Sequence, residues 1–206
     1  MAERKHGLRP STTDATVSGA DWEGRDLSGE QHTGVAFLDL DLTDATGTGT
    51  VFTDCTFRNA RFNESTHTDA AFLNCTFVGC TFFAARFTDC KLVGSTFDRC
   101  TFDRLQVVGG NWSHVALAGA DLRAASFRGT RLREADLTGA RCQGAALRDL
   151  DLAGAALRGA QLARCDLRGS DLSALDPTSA DLRGAIVSFE QALAIATALG
   201  LDVRPE

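Results

Sequence analysis

A single period governs this chain. Read at every fifth residue from Trp22 to Val187, the sequence gives 34 positions without an insertion or deletion, and 25 of them are Leu or Phe. The first half is Phe-rich (Phe52, Phe57, Phe62, Phe72, Phe77, Phe82, Phe87), and the second is Leu-rich (Leu147, Leu152, Leu157, Leu162, Leu167, Leu172). Two places before these, small residues dominate, as in Ala45, Thr50, Cys55, Ala60, Ser65, Ala70, Cys75 and Cys80. Period five matches neither the 3.6 of a helix nor the 2 of a strand. It fits a chain that turns a corner after every unit, with one large and one small residue inward and three facing water. Gly, Asp and Asn, favoured in the last two places of the unit, suit such corners. Stacked coils then pair their backbones as parallel β structure, ~4.8 Å apart.

Units such as Ala120-Asp121-Leu122-Arg123, Ala135-Asp136-Leu137-Thr138-Gly139 and Ala180-Asp181-Leu182-Arg183-Gly184 resemble the A-(D/N)-L-x-x motif of the pentapeptide-repeat family. The resemblance covers roughly residues 17–187. It implies an all-β solenoid, a right-handed quadrilateral β-helix with four units per coil. Thirty-four units then make about eight coils and a rod of ~40 Å.

Three segments are expected: residues 1–16 as a polar, disordered N-terminal stretch, 17–187 as the repeat β-helix, and 188–206 as a C-terminal helix and tail. After Val187 the period changes. Ser188-Phe189-Glu190-Gln191 reads as a capping box, with Ser188 as N-cap and Gln191 at the third helical position. Phe189, Ala192, Leu193, Ala196 and Leu199 then recur at helical spacing, Gly200 suits a helix stop, and Leu201-Asp202-Val203 suits a short strand. An open solenoid end needs a lid, because it exposes unpaired backbone and core. This segment carries more apolar surface than a lid requires.

The formal net charge is −6, which argues against a nucleic-acid binder held by bulk positive charge. No stretch approaches the ~18 apolar residues of a membrane span, and the basic start (Arg4, Lys5, Arg9) is followed by no apolar run of a secretory signal. A cytoplasmic protein is the expectation. Six of the seven cysteines (Cys55, Cys75, Cys80, Cys90, Cys100, Cys165) fall at the small inward position and Cys142 at the large one. They read as buried free thiols. Cys55/Cys75 and Cys80/Cys100 are one coil apart, a spacing that permits a disulfide, though a reducing compartment argues against it. Nothing has the spacing of a zinc site, a phosphate loop or a nucleophile–base pair. His32 and His67, 35 residues apart, belong to different faces and read as core residues. No enzyme, metal or cofactor is expected.

The free-standing repeat, the Phe-rich then Leu-rich halves, Asp26-Leu27-Ser28, the run from His32-Thr33 to Phe37 and the terminal helix resemble the MfpA- and Qnr-type quinolone-resistance branch. That resemblance implies a homodimer joined through the C-terminus, with Phe189, Ala192, Leu193, Ile195, Ala196, Leu199, Leu201 and Val203 at the interface. It also implies a rod that imitates duplex DNA, binds DNA gyrase and alters its response to quinolones or gyrase-poisoning toxins. No direct contact with nucleic acid and no membrane partner is implied. The Qnr proteins carry loops projecting from the coils, which this unbroken register leaves no room for.

Charge is uneven along the chain. Residues 21–54 hold eight acidic residues against Arg25, and residues 171–206 are again acidic. Asp136, Asp151, Asp171, Asp176 and Asp181 are the candidate phosphate surrogates near the expected dimer centre. Arg128, Arg148 and Arg168, each 20 apart, should stack as a ladder suited to an anionic ligand. The alternative reading is a structural scaffold with an unrelated protein partner.

Overall fold

The structure, a computed structural model, describes residues 14–204. The chain winds into a four-faced parallel β-solenoid, and every paired residue meets a partner 20 positions away. On the first face, Ala15–Ser18, Val35–Leu38, Thr56–Arg58, Thr76–Val78 and Thr96–Asp98 form a five-stranded parallel sheet. On the third face the pairing runs unbroken from Asp26 through Thr46, Thr66, Arg86, Gln106, Ser126, Ala146 and Asp166 to Ile186. Those nine rungs span eight steps, so the repeat builds about eight coils, a rod of ~38 Å. The strand Ala15–Ser18 shows that the coil starts before residue 17. The disorder expected for the start of the chain otherwise lies outside the described residues.

The sequence makes the corners in two ways. Where the second place of the unit is Asp or Asn, its side-chain oxygen accepts the backbone N–H two residues on, as Asp41 does from Thr43 (3.0 Å) and Asn111 from Ser113 (3.1 Å). These Asx turns explain the second letter of the motif. The last residue of the unit has a left-handed φ, most often filled by Gly or by Asp and Asn, which tolerate it, as at Asp39 (+53°) and Asn59 (+53°), and elsewhere by residues such as Glu64, Ala84 and Arg99.

The large inward residues stack in columns. Phe37, Phe57, Phe77 and Phe97 lie nearly parallel with centroids 5.0, 5.0 and 4.7 Å apart, and neighbouring columns meet edge to face, as in Phe57–Phe62 at 5.4 Å. Trp112 closes this region, stacked on Phe97 and edge-on to Phe87 and Phe127. Beyond it leucines fill the tube and leave a void of only about 10 Å³, no larger than the space a single water needs. The small inward column takes Ser, Thr and Cys because a hydroxyl or thiol there reaches the carbonyl 23 residues earlier. Ser95 Oγ donates to Phe72 O at 2.7 Å, Ser170 Oγ to Leu147 O at 2.8 Å and Cys80 Sγ to Phe57 O at 3.4 Å.

The helix spans Phe189–Ala198 with the expected capping box at Ser188 and Gln191. Gln191 also ties the helix to the last coil, its Nε2 donating to Leu167 O (2.8 Å) and Ser170 O (2.7 Å). Gly200 (φ +82°) ends it. Residues 201–203 form no strand, correcting the sequence expectation: they are exposed, and the Leu201 N–H bonds back to Ala196 O (3.1 Å) at the end of the helix. Among the described residues, no helix is long and apolar enough to cross a membrane.

Candidate interaction surfaces

The five candidate acids do not form one patch. Asp136 and Asp176 lie on the first face, Asp151 and Asp171 on the fourth, and Asp181 on the second, so they share an end of the rod rather than a side. Each also works for the fold. Their Oδ1 atoms accept the backbone N–H of Thr138 (2.9 Å), Ala153 (3.3 Å), Ser173 (2.9 Å), Thr178 (2.9 Å) and Arg183 (3.2 Å). Two are paired with arginine as well, Asp151 with Arg133 (2.5 Å) and Asp181 with Arg183 (2.7 Å). The Arg133 hydrogen bond holds the Asp151 carboxyl below its usual range, the Thr178 hydroxyl does so for Asp176, and Arg183 brings Asp181 to about 2. These three groups are carboxylates at neutral pH.

Arg128 and Arg148 do stack in register, with Arg168 one rung further. Carboxylates interleave with the ladder, however. Arg128 faces Asp149 at 3.5 Å, Arg148 lies 3.8 Å from Asp166, and Arg168 pairs with Asp166 at 2.8 Å. A ladder neutralised in this way offers an anion little net charge.

At the C-terminal end the helix divides its apolar residues. Ile195 and Ala196 are half-buried against the solenoid, whereas Phe189 (84% exposed), Ala192, Leu193, Leu199, Leu201 (60%) and Val203 face outward, joined by Ile186. No helix residue is fully buried. These side chains leave apolar surface exposed at the C-terminal end of the rod.

Three features escape the linear motif. At the N-terminal end Arg25 and Glu30 occupy small inward positions and fold over the open tube. Arg25 lies 4.6 Å above the Trp22 ring and pairs with Glu30 (2.8 Å), which bonds His32 (3.1 Å). His32 in turn stacks on Phe52 at 5.0 Å. Two charges in a column of small residues were the available signal of this lid. The second feature is a gap in the second face: bridges link residues 21 to 101 and 121 to 181, but none joins Thr101 to Asp121. The third is a cleft of about 260 Å³ between Ala155–Arg158 and Ala174–Ser179, where the coil bearing Pro177 parts from the one below.

His67 is a core residue. Fully buried, it packs 5.0 Å from Phe87. Ser65 Oγ donates its proton to Phe62 O (2.8 Å), so the 3.2 Å contact with His67 Nε2 requires the imidazole proton on Nε2. Nδ1 has no partner, and burial lowers the imidazole to about 4. All seven cysteines are free thiols. No group of three or more His, Cys, Asp or Glu among the described residues could hold a metal ion.

Family models for a pentapeptide repeat region match residues 50–127 and 80–157, and one for pentapeptide repeats, eight copies, matches 147–188. The chain belongs to the pentapeptide-repeat family. No curated protein sequence matches it. Among solved structures it is similar to full-length QnrB1, a plasmid-mediated fluoroquinolone resistance protein, with 19% identity and a TM-score of 0.68 over 91% of this chain and 98% of that one. A trypsin-treated variant of QnrB1 gives 20% identity and a TM-score of 0.61 over 92% and 97%. The cyanobacterial HetL of Nostoc, involved in heterocyst differentiation regulation, matches at 21% identity over 85% of each chain with a TM-score of 0.37. At these identities the likeness to QnrB1 is one of fold.

Proposed function

We propose that the protein binds DNA gyrase as a DNA-mimicking homodimer, modulating the enzyme and giving resistance or immunity to quinolones or gyrase-targeting toxins. The observation that carries this reading is the outward apolar surface of the C-terminal helix at one end of a loop-free rod. Two ~38 Å rods joined there have the length and slenderness of a DNA segment, and the acidic turns near residues 136–181 flank the junction. The fold likeness to QnrB1 agrees with it.

The charge permits only local mimicry. Six net negative charges over about eight coils is under one per coil, whereas B-DNA, at one charge per ~1.7 Å, carries about 2.8 in the same rise. The carboxylates at both ends would have to meet the enzyme's DNA-binding groove while the middle of the rod stays neutral.

A second reading, a scaffold with an unrelated protein partner, is favoured by the turn-forming and ion-paired state of the same aspartates. A supercoiling assay with purified gyrase separates the two. The proposal expects inhibition or relief of drug-induced cleavage, together with capture of gyrase by the immobilised protein. Failure of all three would leave the scaffold reading.

A further inference from the structure

The gap in the second face lies directly over a pair of thiols. Cys80 and Cys100 occupy the same small inward column one coil apart, since Thr81 pairs with Thr101. Cys80 Sγ donates to Phe57 O (3.4 Å) and Val78 O (3.7 Å), Cys100 Sγ to Phe77 O (3.6 Å) and Asp98 O (3.5 Å). Directed at successive carbonyls of one column, the two thiols are stacked neighbours, and each shifts the other's ionisation. Cys80 is fully buried, whereas Cys100 is the one half-buried cysteine of the seven.

The wall above Cys100 is open. Cys80 O accepts the Thr101 N–H at 3.0 Å, but Cys100 O receives no such bond from Asp121, and the inward Phe97 beside it is likewise only partly covered. On its other three faces the coil of residues 101–120 stays in register, Gln106 with Ser126, Asn111 with Arg131 and Ala116 with Asp136, so the break is confined to the face over Cys100.

We propose that Cys80 and Cys100 form a redox-sensitive dithiol that a hydroperoxide converts to an intramolecular disulfide. The pair gives up one proton. The resulting thiolate attacks the O–O bond, forming a sulfenic acid and releasing water or an alcohol. The second thiol then displaces the sulfenic oxygen as a second water, closing the S–S bond. Two thiols and hydrogen peroxide thus yield one disulfide and two waters. The Cys100 thiol lowers Cys80 through their hydrogen bond and is itself raised, so the first ionisation is shared by the pair. Adjacent coils, ~4.8 Å apart, fall within the Cα separations of about 4.4–6.8 Å that a disulfide spans. Cβ atoms at that same spacing must close by about 0.3–1 Å to reach disulfide geometry, and the missing ladder bonds above Cys100 leave room for the movement.

Cys55 and Cys75 make the same stack and supply an internal control. Both are fully buried, and both carbonyls are held, by Thr76 N–H and Thr96 N–H at 2.9 Å each. They lack the opening and the freedom.

The test is oxidation of the folded, full-length protein with hydrogen peroxide, followed by thiol counting under denaturing conditions and peptide mass spectrometry. The expected result is loss of two of the seven thiols, a peptide linking Cys80 to Cys100, and recovery of both thiols with a reductant. Cys80→Ala and Cys100→Ala place in this column the residue already found at Ala60 and Ala120, so both variants should fold. Each should abolish the link, and Cys55→Ala should not. Retention of all seven thiols, over-oxidation of Cys100 without a link, or equal linkage of Cys55 to Cys75 would overturn the proposal.

Discussion

His67 should make the fold acid-sensitive in a defined window. Its imidazole is fully buried and lowered to about 4 by desolvation, against about 6.5 in an unfolded chain. Below pH 6.5 the unfolded chain takes up a proton that the folded one refuses until about pH 4, so stability falls as pH drops through that interval and levels off beneath it. A difference of two to three pH units corresponds to about 3 kcal/mol, at about 1.4 kcal/mol per unit. His67→Leu supplies the residue most common in the inward columns and removes the titration. Urea unfolding of both proteins, followed by circular dichroism at pH 7.5 and 4.0 and at one protein concentration, isolates the effect. Carboxylates such as Asp151 and Asp181, with folded values below the usual range, add stability that is lost at still lower pH. They are shared by both proteins and cancel in the difference. The variant should gain on the parent by about 3 kcal/mol between the two pH values. An unchanged gap would show that His67 is protonated, or solvated, inside the fold.

Gly110→Ala and Gly144→Ala both place a side chain at a φ near +75°, but the new Cβ at Gly110 would overlap Cys90 O while that at Gly144 would meet nothing within 4 Å. The first should cost about 2–5 kcal/mol and the second about 1–2; equal shifts in the unfolding midpoint would reject the steric account. Gln191→Leu removes bonds to Ser188 N–H, Leu167 O and Ser170 O. At about 0.5–1.5 kcal/mol each, this should free the helix, read as faster hydrogen exchange over Phe189–Ala198. Leu193→Glu should leave the solenoid's circular dichroism intact while turning the proposed dimer into a monomer in sedimentation. An unchanged mass would place any self-association elsewhere.

The inward residues could be read from the sequence because a corner every five residues leaves each unit only two inward places. Their identities therefore repeat at fixed intervals from Leu27 to Leu182. The capping box at Ser188 and Gln191 was equally legible, since its reciprocal bonds join residues three apart; the further bonds from Gln191 to Leu167 O and Ser170 O were not. What the period could not reveal depends on where the side chains turn once the coil is wound. Arg25 and Glu30 look like surface charges until the coil brings them over Trp22 and His32. The ladder of Arg128, Arg148 and Arg168 was visible, but its neutralisation by Asp149 and Asp166 depends on which way each guanidinium turns. The gap above Cys100 is a break between Thr101 and Asp121, two units of ordinary pattern, and shows only when successive coils are laid over one another.

The motif aspartate poses the harder question, because one carboxylate serves two purposes. As a turn former it needs only an acceptor oxygen, and Asn111 shows that an uncharged amide supplies one to Ser113 in the same solenoid. As a phosphate surrogate it needs its charge. Replacing Asp136, Asp151, Asp171, Asp176 and Asp181 together by Asn therefore keeps the turns and removes five charges from one end of the rod. Asp151 and Asp181 also surrender ion pairs with Arg133 and Arg183, and exposed pairs of this kind contribute little to stability. If charge at this end guides gyrase binding, the five-fold variant should remain a folded solenoid and lose inhibition in the supercoiling assay. A variant that folds and inhibits as well as the parent would mean that these aspartates are there for the turns alone, and any mimicry would then belong to the acidic coils of residues 21–54.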